Sequence, residues 1–214
     1  MWADGPDEVP WHHVRDVLRL RPGDTYAFVC GDGFEYRARL VAKDRVEVLG
    51  RVALAPPAVR VSLYVGLLKS DAMDGVVQRA TEIGVERIVA MQTERSLGGA
   101  RLDRWRRIVR ASAAQCRRGT CPEVAGPVRF EEAIGAGPGV LFWERASASL
   151  TGLVGSEVAV FVGPEGGFSE AEARLAEGRG VKICSLGARI LRAETAAVVA
   201  PVLVMAALGE PGFS

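Results

Sequence analysis

The sequence predicts an α/β protein, with a parallel sheet and crossover helices over residues 58–214 and a small β-barrel over residues 1–57. Three observations predict it. Short β-type runs with Gly/Asp turns crowd the first quarter of the chain. Strand and helix patterns alternate from Val59 onward. Between the two lies Ala55-Pro56-Pro57-Ala58, a stiff break in which proline fixes φ and removes ladder donors.

The N-terminal runs are Thr25 to Cys30, Phe34 to Val41 and Val46 to Leu54, divided by Gly31-Asp32-Gly33 and Lys43-Asp44-Arg45. Beyond the break, Val59, Val61, Leu63, Val65 and Leu67 alternate as a strand, whereas Met73, Val76, Val77, Ala80 and Ile83 recur at helical spacing. Arg87 to Gln92 reads as a strand, and Leu102, Trp105, Val109 and Ser112 share one side of a helix. Further strands fit Val140 to Trp143, Glu157 to Val162 and Lys182 to Leu186. Ser169 and Glu172 have capping-box spacing, so a helix should start directly after the glycines that precede them. Glu194 to Leu208 is apolar on nearly every side despite Pro201, which predicts a buried helix, kinked at the proline or packed on a second subunit.

A chain of 214 residues with 49% hydrophobic content is long enough for a sizeable core. Its 27 basic and 26 acidic side chains nearly cancel, so an argument for a polyanionic partner must come from local clustering. Cys30, Cys116, Cys121 and Cys184 form no CxxC pair, and the only histidines are His12 and His13; this disfavours a metal site and predicts reduced thiols. The acidic start, Met1 to Glu8, lacks the apolar core of a signal peptide. The longest apolar run, Ala196 to Leu208, is shorter than the roughly 20 residues a membrane span requires. The expectation is a cytoplasmic protein without membrane or metal.

Two strands run into Gly-containing loops that precede helix starts: Val158 to Val162 into Gly163-Pro164-Glu165-Gly166-Gly167, and the strand before Leu186-Gly187-Ala188-Arg189-Ile190-Leu191-Arg192. Paired loops at one edge of an open α/β sheet are where such folds bind ligands. Neither loop has the Lys-Ser/Thr of a P-loop or the spacing of the dinucleotide fingerprint, which disfavours a dinucleotide-dependent oxidoreductase. Arg192 and Glu194 read either as solvated residues at a helix start or as an anion stabiliser and a proton acceptor.

Seven arginines occupy residues 101–118, against one Asp. Arg104, Arg107 and Arg110 should share a helix side, and Arg117-Arg118 follow. A solvated face explains them, and so does a polyanion, because the guanidinium fork matches phosphate. Arg15, Arg19, Arg21, Arg37 and Arg39 form a second cluster, with Arg37 and Arg39 on one face of a strand; solubility and RNA binding account for it equally well. His12 and His13 suit packing or surface roles.

In order along the chain stand His13-Val14-Arg15-Asp16-Val17-Leu18-Arg19-Leu20-Arg21-Pro22-Gly23-Asp24, Val77 to Val85, Thr93-Glu94-Arg95-Ser96, Ala114 to Arg118 with Pro122-Glu123, and the two loops. Together these blocks resemble the bacterial ribosomal RNA uridine-N3 methyltransferases (RsmE type) of the SPOUT superfamily. The resemblance implies an N-terminal PUA-like RNA-binding β-barrel and a C-terminal SPOUT α/β domain closed by a trefoil knot, in a homodimer. It implies S-adenosylmethionine, leaving as S-adenosylhomocysteine, among Gly163, Pro164, Glu165, Gly166, Gly167, Leu186, Gly187, Ile190 and Leu191, with Phe142, Trp143 and Glu144 as a third wall. Arg192 and Glu194 become the catalytic candidates. Arg15, Arg19, Arg37, Arg39, Arg95, Arg117 and Arg118 become contacts to ribosomal RNA or the small ribosomal subunit. Ala72, Ala188 and Ala193 stand where Lys, Pro and Thr are common in that family, and the sequence begins without the Arg-containing first strand usual there. An RNA-docking protein with weak or no catalysis, and a SPOUT enzyme for another RNA nucleotide, are the alternatives.

Overall fold

Strand β1 (Thr25–Val29), β2 (Phe34–Ala42) and β3 (Arg45–Ala53) form an antiparallel sheet in that order. The computed structural model describes every residue except 4, 6–8, 10, 12, 136 and 214, together with the backbone but not the side chains of His13 and Ser70; His12 and much of the acidic start therefore lie outside the described residues. Alternation in β1 and β2 sends Tyr26, Phe28, Tyr36, Ala38 and Leu40 into a core shared with Val14 from a short π-type turn, His13–Val17. Their outward neighbours Arg37 and Arg39 stay exposed. Met1 and Ala3 pair with Val29, and the Gly33 N–H donates to the Gly119 carbonyl (3.0 Å).

The second sheet comprises β4 (Arg60–Gly66), β5 (Arg87–Gln92), β6 (Glu123–Arg129), β7 (Gly139–Phe142), β8 (Glu157–Val162) and β9 (Lys182–Cys184). Its order is β6-β5-β4-β8-β7-β9, and every pairing is parallel. The helices are α1 (Ser70–Glu82), α2 (Leu102–Gln115), α3 (Phe130–Ala133), α4 (Glu170–Gly178) and α5 (Ala193–Ala207). The central strands are buried on both faces, which accounts for their continuous apolar runs.

The chain divides into two compact units, residues 1–56 with 109–121 and residues 57–108 with 122–214. α2 thus starts in the second unit and ends in the first. Its predicted side is buried through Trp105, Val109 and Ser112. Within the second unit, Asp74 of α1 accepts from Arg104 Nε (2.7 Å) and Trp105 Nε1 (3.2 Å), so part of the arginine run is held by acids of the protein itself.

Two elements differ from the sequence expectation by their presence. β6 carries Gly126-Pro127 in its middle, which interrupts alternation, and α3 has only 4 residues. The strand expected over Lys182 to Leu186 stops at Cys184, which frees Ser185 and Leu186 for a loop. α5 continues through Pro201 and buries Ala193, Ala197, Ala200, Val204 and Met205, but Leu203 on its other side is 41% exposed. It is therefore only half buried within one chain. Among the described residues, no helix is long and apolar enough to cross a membrane.

Candidate active site

Sheet order reverses at β4: β5 lies on one side and β8 on the other, and the strands beyond β8 end at the same edge. Loops leaving neighbouring parallel strands at such a switch diverge and leave a crevice. Here it is a cavity of about 720 Å³ at the C-terminal ends of β7, β8 and β9, within the size range of small-molecule sites.

The loop after β8 forms one wall. At Gly163 a Cβ would come 3.0 Å from the Gly167 carbonyl carbon, and at Gly66, where β4 ends, 2.5 Å from Pro164 Cδ. Gly167 has φ +67°, a conformation glycine adopts without cost. The Gly167 N–H donates to the Pro164 carbonyl (2.8 Å), and the Lys69 N–H to Glu165 Oε1 (3.0 Å). Arg95 Nη1 donates to the Gly166 carbonyl (2.8 Å). Phe168, 2% exposed, anchors the loop against Phe130, and Trp143 Nε1 donates to its carbonyl (3.3 Å). Ser169 then caps α4 with the reciprocal bonds of the predicted capping box.

The loop after β9 forms the opposite wall. Ser185 Oγ accepts from the Gly187 N–H (3.1 Å) and donates to the Gly187 carbonyl (3.1 Å). Ile190 is 87% exposed, although it lines the cavity. Arg192 is the N-cap residue of α5, with extended backbone and a side chain 86% exposed; its Nη1 lies 3.9 Å from Glu194 Oε1 in the first helical turn. Burial raises the pKa of the Cys184 thiol at the base of this loop.

The end of β7 supplies Phe142, Trp143 and Glu144, and the Glu144 carboxylate faces Gly167 so closely that a Cβ there would sit 3.1 Å from Oε2. Three carboxylates (Glu144, Glu165, Glu194) and three cations (Lys69, Arg189, Arg192) line the same space as Phe142, Leu186 and Leu191. Such a site suits a ligand with both charged and apolar parts.

All the cavity residues expected from the sequence are brought together here: Phe142, Trp143, Glu144, Gly163, Pro164, Glu165, Gly166, Gly167, Leu186, Gly187, Ile190, Leu191, Arg192 and Glu194. Lys69 was not anticipated as a lining residue, and the signal was its place in the short link between β4 and α1, as the N-cap residue of that helix. Of the seven arginines assigned to RNA, Arg95 sits on the Gly-rich loop, whereas Arg15, Arg19, Arg37, Arg39, Arg117 and Arg118 belong to the first unit. Arg15 stacks over Trp11 (4.9 Å), Arg39 lies 3.9 Å from Glu47, and Arg19 and Arg117 have positive φ (+52° and +57°).

The family described as RNA methyltransferase domain matches residues 55–205, and that described as RNA methyltransferase PUA domain matches residues 12–52. The chain is 32% identical over 206 residues to ribosomal RNA small subunit methyltransferase E of Synechocystis, covering 88% of this chain and 68% of that protein. It is 33% identical over 212 residues to the protein of the same name in Mycobacterium tuberculosis, covering 88% and 80%. A crystal structure of ribosomal RNA small subunit methyltransferase E from Neisseria gonorrhoeae bound to S-adenosyl methionine superposes with TM-score 0.84 at 29% identity, over 92% of this chain and 89% of that one. A Legionella pneumophila methyltransferase in complex with the same cofactor gives TM-score 0.87 at 27% identity, over 97% and 96%. The chain belongs to the ribosomal RNA small subunit methyltransferase E family of RNA methyltransferases, with a PUA domain at its N-terminus.

Proposed function

We propose that this chain methylates N3 of one uridine in small-subunit ribosomal RNA, with S-adenosylmethionine as methyl donor. The observation that carries this reading is the cavity at the switch point, walled by both loops in a chain of this family. Glu144 and Glu165 suit the positive sulfonium and amine of the donor, Phe142, Leu186 and Leu191 its apolar parts, and the glycines leave a cradle that a Cβ would fill.

When bound, S-adenosylmethionine supplies an electrophilic methyl group. Neutral uracil holds a proton on N3 and a delocalised lone pair, so the base must lose that proton to become nucleophilic, and charge then spreads onto O2 and O4. Arg192 stabilises that charge from the mouth of the cavity. Glu194, in the first turn of α5, takes the N3 proton. The base reaches them displaced from its neighbours, because chemistry on a base requires access to its edge.

In this reading residues 1–57 dock RNA and residues 58–214 carry the chemistry. Arg15, Arg19, Arg37, Arg39, Arg117 and Arg118 contact phosphate; replacing Arg117 and Arg118 by Ala should weaken RNA binding and flatten its salt dependence by about 0.7 per lost contact, sparing donor binding. A trefoil knot is supported by chain order: β9 lies at the sheet edge outside β7, yet the next element, α5, packs back on β8 and β4. A homodimer is supported by the half-covered apolar surface of α5, including Leu203. The cytoplasm, where ribosomes assemble, is the location that fits.

The test is incubation of labelled S-adenosylmethionine with small subunits lacking the modification, followed by mapping of the methyl group. Label at N3 of one uridine is expected. Label on another nucleotide overturns the base assignment, and none at all supports the docking alternative.

A further inference from the structure

Beside the cavity, the turn Thr93-Glu94-Arg95-Ser96 leaves β5 and is closed on itself. The Thr93 N–H donates to Ser96 Oγ (3.1 Å), the two hydroxyls lie 2.9 Å apart, and the Ser96 N–H donates to the Thr93 carbonyl (3.3 Å). Two bonds leave this turn, one for the Gly-rich loop and one for the first turn of α4 that follows it. Arg95 Nη1 reaches the Gly166 carbonyl at 2.8 Å, and its stem packs where a Gly166 Cβ would lie, 3.1 Å from Arg95 Cβ. The Glu94 N–H donates to Glu172 Oε1 at 2.9 Å.

Glu172 is 8% exposed, and its second oxygen accepts from the Ser169 N–H at 2.8 Å. A capping box needs only that second bond. The first reaches a turn 78 residues earlier in sequence and joins β5 to the end of the loop after β8. A buried carboxylate is tolerated where hydrogen bonds satisfy it, and here both oxygens are used.

We propose that Arg95 and Glu172 are positioning residues that hold the Gly163–Ser169 loop in its donor-binding shape, with Arg95 serving this loop rather than RNA. The proposal rests on the reading that this loop cradles S-adenosylmethionine. Arg95 fixes the plane of the Gly166–Gly167 peptide at the cavity wall, and Glu172 fixes where the loop meets α4. Neither touches the reacting atoms, so their contribution falls on donor affinity through preorganisation and not on the chemical step.

The experiment uses the full chain without RNA and titrates S-adenosylmethionine calorimetrically into wild type, Arg95→Met, Arg95→Lys and Glu172→Gln. Arg95→Met keeps the stem and removes the donor; it should raise Kd about tenfold, the loss expected for one charge-assisted hydrogen bond. Arg95→Lys should recover part of that loss. In turnover assays KM should rise by the same factor with kcat within about twofold. Glu172→Gln should also weaken binding, with a lower Tm; if it fails to fold, Arg95→Met carries the test. Amide exchange across residues 163–169 of ligand-free Arg95→Met should be faster than in wild type. Wild-type affinity and exchange in Arg95→Met overturn the proposal, and a defect confined to RNA binding assigns Arg95 to the substrate. Failure of wild type to bind the donor overturns the underlying reading instead, whatever the exchange data show.

Discussion

The two loops that line the cavity are held very differently. The loop after β8 is fixed at Glu165, Gly166, Phe168 and Ser169 by partners on β5, β7, α1 and α4 or their adjoining turns. The loop after β9 is tied only near its start, by the Ser185 N–H on the Ala148 carbonyl (3.0 Å) and by Ser185 Oγ on Gly187, and it leaves Ile190 and Arg192 largely exposed. A fixed wall preorganises binding, whereas a loosely held one admits a large substrate and then closes on it. The residues given chemical roles, Arg192 and Glu194, stand at the end of the loose wall.

The largest effect should come from that wall. Arg192→Ala is expected to slow methyl transfer by about 10²–10³, the usual consequence of removing a group that stabilises developing negative charge. Calorimetric affinity for the donor should change little, because the fixed wall is intact. Glu194→Gln should slow transfer by about 10² if it accepts the proton. Near-normal turnover in either variant removes that residue from the mechanism.

The fixed wall should instead respond through stability and binding. Gly66→Val places atoms against Pro164 and should cost about 2–3 kcal/mol, with loss of donor affinity, because overpacked sites shift backbone. Ser169→Ala removes one half of the capping box and should cost about 1 kcal/mol in denaturant unfolding. Equal losses in Gly66→Val and in Ala188→Val, at an exposed position of the loop after β9, would erase the distinction between the walls. The smallest effect concerns Cys184, buried at the base of the loose loop with its pKa raised by burial. A raised pKa keeps the thiol protonated at neutral pH, so alkylation of Cys184 should be slow, should accelerate as pH rises above 9, and should slow a few-fold when donor closes the loop.

Much of this arrangement was legible in the residues. Arg87–Gln92 and Glu157–Val162 are strands with the bounds their apolar runs suggest, and Ser169 with Glu172 announced the start of α4. Local periodicity and capping chemistry dominate there. β6 was hidden because Gly126-Pro127 breaks its alternation and it buries only Val124. The second bond of Glu172, the grip of Arg95 on Gly166 and the return of residues 109–121 to the first unit depend on chain segments far apart in sequence. No local pattern encodes them. Arg95 shows the consequence: its residue type suggests a phosphate contact, whereas its bond to the Gly166 carbonyl is visible only in the fold.

Amide hydrogen exchange across both loops, with and without S-adenosylhomocysteine, measures the difference in restraint between the two walls. Residues 163–169 should be protected in the free protein and change little, whereas residues 188–192, beyond the bonded Ser185 and Gly187 amides, should exchange quickly when free and become protected on binding. Equal exchange in residues 163–169 and 188–192 before ligand, or no protection of residues 188–192 after it, would contradict the division into a fixed and a loose wall.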